Sequence, residues 1–169
     1  IRVAWWKLYY PREYYAVYFT TRCDAYDIET MIQGKESIYA RYQQILSDKQ
    51  NGVKISNKEE ALISVFEIAL EMYERGIHFN NISLEYSDSR NFILDPNDSD
   101  GLLPPFTSID GLGVSVGDSV IEARKNNSFL SKEDVTKRTK LTNNQIEFLS
   151  KLGVFQDMSE ENQLSLFDL

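Results

Sequence analysis

Apolar residues recur at positions 28, 31, 32, 38, 42, 45 and 46 through IETMIQGKESIYARYQQILSDK. These three- and four-residue steps predict one or two amphipathic helices interrupted at Gly34. A second helical run, KEEALISVFEIALEMYERG, follows NGVKIS; Asn57 with Glu60 three residues later predicts its capping box, and Gly76 its end. Upstream, RVAWWKLYY predicts a helix that stops before Pro11, because the residue preceding proline is pushed out of the α region. Pro11 suits the first turn of the next helix, REYYAVYFTT. The pattern changes at ISLEYSDSRNFILD, which alternates around a polar SDSR centre and predicts a β-hairpin followed by the loop DPNDSDG. Helical spacing returns in the second half. SKEDVTKRTK opens with Ser131 and Asp134 as a cap, and TNNQIEFLSKLG is a last helix capped by Thr142 and closed at Gly153, with Phe155 folding back on it. The fold class expected is mainly α with a small β-hairpin (α+β) and a flexible C-terminal tail.

Two clusters within these elements invite a chemical reading. Eight aromatics, Trp5, Trp6, Tyr9, Tyr10, Tyr14, Tyr15, Tyr18 and Phe19, crowd the two N-terminal helical segments. They are either a platform on which bases stack or an aromatic core joining two short helices, and their spacing favours the core. Glu67, Glu71 and Glu74 resemble paired carboxylates, but at helical spacing they share one polar side of an amphipathic helix.

Composition narrows the chemistry further. The chain has 169 residues, 42% of them hydrophobic, enough to bury a core as one domain or two small ones. One cysteine, Cys23, and one histidine, His78, leave no internal disulfide, thiolate zinc site or multi-histidine metal cluster. We therefore expect no catalytic or metal-ligating residue and no cofactor within this sequence. No run approaches the roughly 18 to 20 apolar residues that span a bilayer, and no secretory pattern opens the chain, so a cytoplasmic location and no membrane partner are expected. The sequence begins at Ile1 with an already helical pattern, as a piece of a longer protein would.

The net charge of −8 argues against nucleic acid until its distribution is considered. Residues 124–140 hold six basic groups against two acids, a local +4 available to a phosphate backbone. Just before them, Phe106 and Ile109 precede Gly111-Leu112-Gly113, and Val116, Val120 and Ile121 follow at helical spacing. Apolar, x, Gly, apolar, Gly, then an amphipathic helix is the helix-hairpin-helix pattern, placed at about residues 104–126. The glycines allow a sharp turn and leave N–H groups at the second helix free to face an anion. Such main-chain donors hold phosphate without reading base sequence. A simple tight turn between packed helices is the other reading. The duplex-binding residues expected are Gly111, Leu112, Gly113, Ser115, Arg124, Lys125, Lys132, Lys137, Arg138 and Lys140.

After the acidic spacer QDMSEE the chain ends in NQLSLFDL. Its composition predicts a disordered tail over 156–169, yet Leu164, Leu166 and Phe167 gain nothing in a disordered terminus unless a partner buries them.

Three stretches, in order, resemble one family: RVAWWKLYYPREYYAVYFT, LLPPFTSIDGLGVSVGDSVIEARKNNSFLSKEDVTKRTK and QLSLF. Together they are similar to the C-terminal part of PolC-type bacterial DNA polymerase III, over essentially the whole chain. The resemblance implies that residues 1–22 are the last helices of the fingers and 23–155 a duplex-binding region whose helix-hairpin-helix holds primer-template DNA. It implies also that Gln163, Leu164, Ser165, Leu166 and Phe167 dock into the sliding clamp, in support of processive synthesis. The rest of the polypeptide is a third implied partner, carrying the nucleotidyltransferase palm with its magnesium and the inserted exonuclease; this fragment alone is non-catalytic. Gly117 departs from the small apolar residue common at its position, which suggests a looser second helix. Alternatives of other classes are an adaptor or a repair protein on the same hairpin, binding DNA or the clamp without polymerase activity, with Asp134, downstream of Gly113, as the acid of a glycosylase.

Overall fold

The computed structural model describes residues 2–160. Its elements in chain order are α1 (Arg2–Tyr9), α2 (Pro11–Thr21), α3 (Ile28–Met31), α4 (Lys35–Gln50), α5 (Asn57–Glu74), β1 (His78–Phe79), β2 (Ile93–Leu94) and β3 (Gly101–Leu103). A 3-10 turn (Phe106–Ser108) leads to α6 (Val114–Asn126), α7 (Lys132–Arg138) and α8 (Asn143–Lys151). Helix with a small sheet is the class expected.

α4 and α5 form an antiparallel pair. Leu62, Val65, Phe66, Ala69 and Met72 make the buried stripe of α5, facing Ile38 and Ile45 of α4. Ion pairs Lys35 with Glu74 and Lys49 with Glu60, and a Tyr42–Glu67 hydrogen bond of 2.9 Å, cross the seam outside this stripe. Glu71 receives Lys7 and the Tyr15 hydroxyl. The three glutamates lie on the polar side of α5, as expected, Glu67 and Glu74 exposed, and each also meets a group of a neighbouring helix. The cap of α5 lies one residue earlier than expected: Ser56 accepts from the Glu59 amide and Glu59 answers at the Ser56 amide.

Tyr15 and Phe19 of α2 enter the same core, where Phe19 meets Phe79 edge-on at 4.9 Å and Phe92 at 5.6 Å. The boundary expected at residue 22 therefore runs through a shared core. Trp5, Trp6, Tyr9 and Tyr10 instead stay exposed, and α1 buries none of its residues. The core reading of the eight aromatics holds for α2 and fails for α1.

The sheet has the order β1-β3-β2, with β1 parallel to β3 (His78 opposite Gly101) and β2 antiparallel to it (Ile93 opposite Leu103). A β-hairpin exists, but between β2 and β3 around DPNDSD, not within ISLEYSDSRNFILD as expected. The physical reason is that Ile82, Leu84, Ser87 and Ser89 alternate because they are buried against the second core, not because a strand pairs with them. The backbone acceptors there are used otherwise: Leu84 and Ser87 carbonyls accept from Arg124, and Asp88 and Ser89 carbonyls from the Phe106 and Thr107 amides at 3.0 and 3.2 Å.

A second core, built on Phe106, Ile109, Leu112, Val120, Val135, Leu149 and Phe155, holds α6, α7 and α8 together. The chain beyond α8 is attached as far as it is described. Met158 packs on this core, and the Ser159 and Glu160 carbonyls accept from the Lys132 and Glu133 amides at 3.0 and 3.1 Å. The unstructured segment expected from residue 156 does not include 156–160.

Candidate nucleic-acid interface

Ile109 and Leu112 anchor the hairpin by burial, so the residues between and after them are presented outward. Gly111 has φ of 78°, a left-handed conformation that other residues adopt only with strain, and a Cβ there would meet nothing within 4 Å. Gly113 is different. Its φ of −77° and ψ of 159° are open to any residue, and it caps α6 without a side-chain bond. What glycine supplies there is bare space: no atom lies within 4 Å of where its Cβ would be. Val116 and Gly117 amides turn back to the Gly113 carbonyl. Those of Gly113, Val114 and Ser115 find no acceptor among the described residues, which leaves three adjacent donors and the positive end of the α6 dipole facing outward.

Neighbouring elements keep this surface clear. Lys58 pairs with Asp110, the one carboxylate in the turn. Gln145 Nε2 donates to the Gly111 carbonyl at 3.3 Å, and the Lys140 amide to Ser119 Oγ at 2.9 Å, tying the entry to α8 onto the hairpin. Sequence reasoning missed Gln145, Ser119 and Lys58, because each acts through a contact between segments remote in sequence.

From Ser115 an open groove of about 720 Å³ runs between α6 and α7, lined by Lys125, Lys137 and Lys140, with Asp118 and Glu122 on one wall. Lys125 pairs with Glu122 and Lys137 with Glu133. Lys140 is exposed and its ammonium has no ion pair among the described residues. Lys132 lies at the other end of α7, 3.4 Å from Glu160.

Two expected duplex contacts are engaged by backbone carbonyls, although Arg138 still lines the groove. Arg124 Nη1 donates to the Leu84 and Ser87 carbonyls at 3.0 and 2.8 Å, and burial lowers its pKa against the pull of Asp88 and Glu85, without discharging it at neutral pH. Arg138 Nη2 donates to the Ala123 and Asn127 carbonyls at 2.6 and 2.7 Å, satisfying the C-terminal end of α6, while Nη1 reaches Asp134 at 2.8 Å. Its guanidinium also lies over the Phe129 ring, 4.9 Å from the centroid. Asp134 accepts from the Leu130 amide besides; burial raises its pKa, but Arg138 and that amide bring it below the ordinary carboxylate range. Asp134 is thus already engaged by Arg138 and the Leu130 amide at the start of α7, a structural role rather than that of a glycosylase's acid.

Gly117 is a tight contact rather than a loose one. A Cβ there would lie 2.9 Å from Ser89 Cβ and 3.2 Å from Ser89 Cα, so α6 approaches the Ser89 backbone closely only because the residue is glycine. Gly117→Ala gains about 1 kcal/mol of helix propensity against an overpacking cost of about 1–3 kcal/mol. Because the obstacle includes backbone, we expect net destabilisation, read as a lower midpoint in urea unfolding. A midpoint that rises would show that Ser89 moves aside.

Among the described residues no group of three or more His, Cys, Asp or Glu is placed to hold a metal ion, and no helix is long and apolar enough to cross a membrane. Gln163, Leu164, Ser165, Leu166 and Phe167 lie outside the described residues.

A glycine turn between a buried anchor and an amphipathic helix, with its amides bare, defines a helix-hairpin-helix protein; the helix-hairpin-helix motif family matches residues 76–164, more than half of the chain, and the chain belongs to it. Along nearly its whole length it is also similar to DNA polymerase III PolC-type proteins. The one from Bacillus cereus is 42% identical over 167 residues, covering 99% of this chain and 11% of the relative. Those from Listeria welshimeri and Bacillus subtilis are 41% and 42% identical with the same coverage. The chain thus spans about 11% of the length of these relatives, and the resemblance carried by the three stretches extends over 99% of it.

Proposed function

We propose that this chain is the C-terminal part of a PolC-type replicative DNA polymerase, binding the primer-template duplex through the hairpin and the sliding clamp through QLSLF. The observation that carries the duplex reading is the row of unpaired amides at Gly113, Val114 and Ser115, opening onto the groove with Lys140. Amide donors at a helix N-terminus suit phosphate oxygens, and phosphate contacts do not depend on base sequence. They also need little net charge, which reconciles binding with a total of −8.

Leu112 serves by anchoring the turn, the amides and the Ser115 hydroxyl by donating, and Lys125, Lys137 and Lys140 by following the backbone beyond. Lys132 is one and a half turns of α7 further along. Gln163 enters a polar subsite of the clamp, and Leu164, Leu166 and Phe167 an apolar groove, with Ser165 between them. A short segment of this kind binds at about micromolar strength. Held together with duplex contact, it raises processivity, because each contact increases the effective concentration of the other.

Catalysis belongs to the rest of the polypeptide, whose palm would use magnesium. Residues 1–22 are the end of the fingers, and the exposed face of Trp5, Trp6, Tyr9 and Tyr10 is where that remainder packs. The chain works in the bacterial cytoplasm.

Duplex binding followed by fluorescence anisotropy over a salt series tests the first contact. Log affinity is expected to fall linearly with log salt, and Lys140→Ala to reduce that slope by about one. Affinity independent of salt would sink the phosphate reading. Calorimetry against the clamp tests the second: heat that disappears on removing residues 163–169 supports it, and heat that persists places the clamp contact elsewhere.

A further inference from the structure

The segment after α8 turns back and lies along the start of α7. Ser131 and Ser159 form a parallel bridge, the Lys132 and Glu133 amides donate to the Ser159 and Glu160 carbonyls, and Lys132 Nζ stands 3.4 Å from Glu160. These two amides are the first and second of α7, donors that no intrahelical carbonyl can satisfy. The third, Asp134, is taken by the Ser131 side chain. The first turn of α7 is therefore completed by residues 159 and 160. Phe155, buried, and Met158, packed on the second core, hold the approach to this strap.

We propose that the strap Met158–Glu160 fixes the point from which the clamp-binding tail departs, holding a bound sliding clamp at a set distance from the duplex-binding groove. The proposal rests on the tail reading given above. Its consequence is one of reach. A tail free from Phe155 would let Gln163 range about eight residues, up to about 28 Å, whereas a tail pinned at Glu160 leaves about three residues, about 10 Å. The strapped end of α7 is itself only about five residues, about 7.5 Å of helix, from Lys137 in the groove. Clamp and duplex contacts are thereby made rigid neighbours instead of two modules on a loose tether.

The test uses the full chain in three forms: unaltered, with a flexible Gly/Ser linker inserted between Glu160 and Glu161, and lacking Gln163–Leu169. Lifetimes are measured on a clamp loaded onto primer-template duplex, and hydrogen exchange is followed at the Lys132 and Glu133 amides. Protected amides are expected, with an insertion that shortens the lifetime about tenfold through lower effective concentration while affinity for the clamp alone stays within about twofold. Amides that exchange as in an unstructured peptide overturn the proposal, as does an insertion without effect on lifetime. Clamp binding that survives removal of Gln163–Leu169 overturns the tail reading and the proposal together, an outcome separate from the other two.

Discussion

Duplex affinity of the Gly111→Val, Gly113→Val double variant is expected to fall at least about 100-fold, or about 2.8 kcal/mol. Each amide bond to a charged phosphate oxygen contributes about 1.5–3 kcal/mol, and valine obstructs more than one of them. The two positions fail for different reasons. At Gly111 a β-branched residue cannot hold φ of 78°, so the turn itself shifts and stability falls with it. At Gly113 the backbone is ordinary, and the valine side chain only stands between the amides and the ligand. Gly113→Val alone is therefore the cleaner variant, losing duplex affinity while its thermal midpoint changes little. If that variant binds duplex as the unaltered chain does, the bare amides are not the contact.

Arg138→Ala is expected to cost about 2–3 kcal/mol of stability, because it strips donors from the Ala123 and Asn127 carbonyls and leaves Asp134 without its partner. For a domain of this size that lowers Tm by about 5–10 °C, measured by circular dichroism. Arg138→Lys should recover little, since an ammonium cannot serve these three acceptors as a planar fork does. The salt slope of duplex binding separates the roles: it is expected to stay unchanged in Arg138→Ala under conditions where the variant is folded. An unchanged Tm with a reduced slope would make Arg138 a phosphate ligand.

These two cases show where the sequence was legible. The hairpin was readable because its signal is local: an apolar anchor, two glycines and a helical stripe follow one another between Phe106 and Ile121, and each demands a backbone feature. Pro11, Gly34, Gly76, Thr142 and Gly153 mark helix ends for the same reason. Charge was less legible. Six basic residues in 124–140 read as one patch, yet Arg124 and Arg138 are consumed by carbonyls of other segments, which no spacing rule announces. The misplaced hairpin has the same origin: alternation in ISLEYSDSR records burial on one side, and only the fold decides that Arg124, rather than a strand, meets its carbonyls. At α5 two capping patterns overlapped by one residue, Ser56 with Glu59 and Asn57 with Glu60, and the structure uses the first. Gly117 looked like a departure because its partner, Ser89, belongs to a different and distant segment of the chain.

The parallel pairing of β1 with β3 also sets an order of assembly. α4 and α5 are joined by the short connection 51–56 and can close early, whereas His78 and Gly101 must meet across the whole intervening stretch that carries β2. Closing the longer loop costs more chain entropy before any contact repays it. The helical pair should therefore fold first and offer Phe66 and Met72 as the surface on which the sheet condenses. The pairing of β1 with β3 is the last of these contacts to close, and thermal fluctuations should open it before the helical pair.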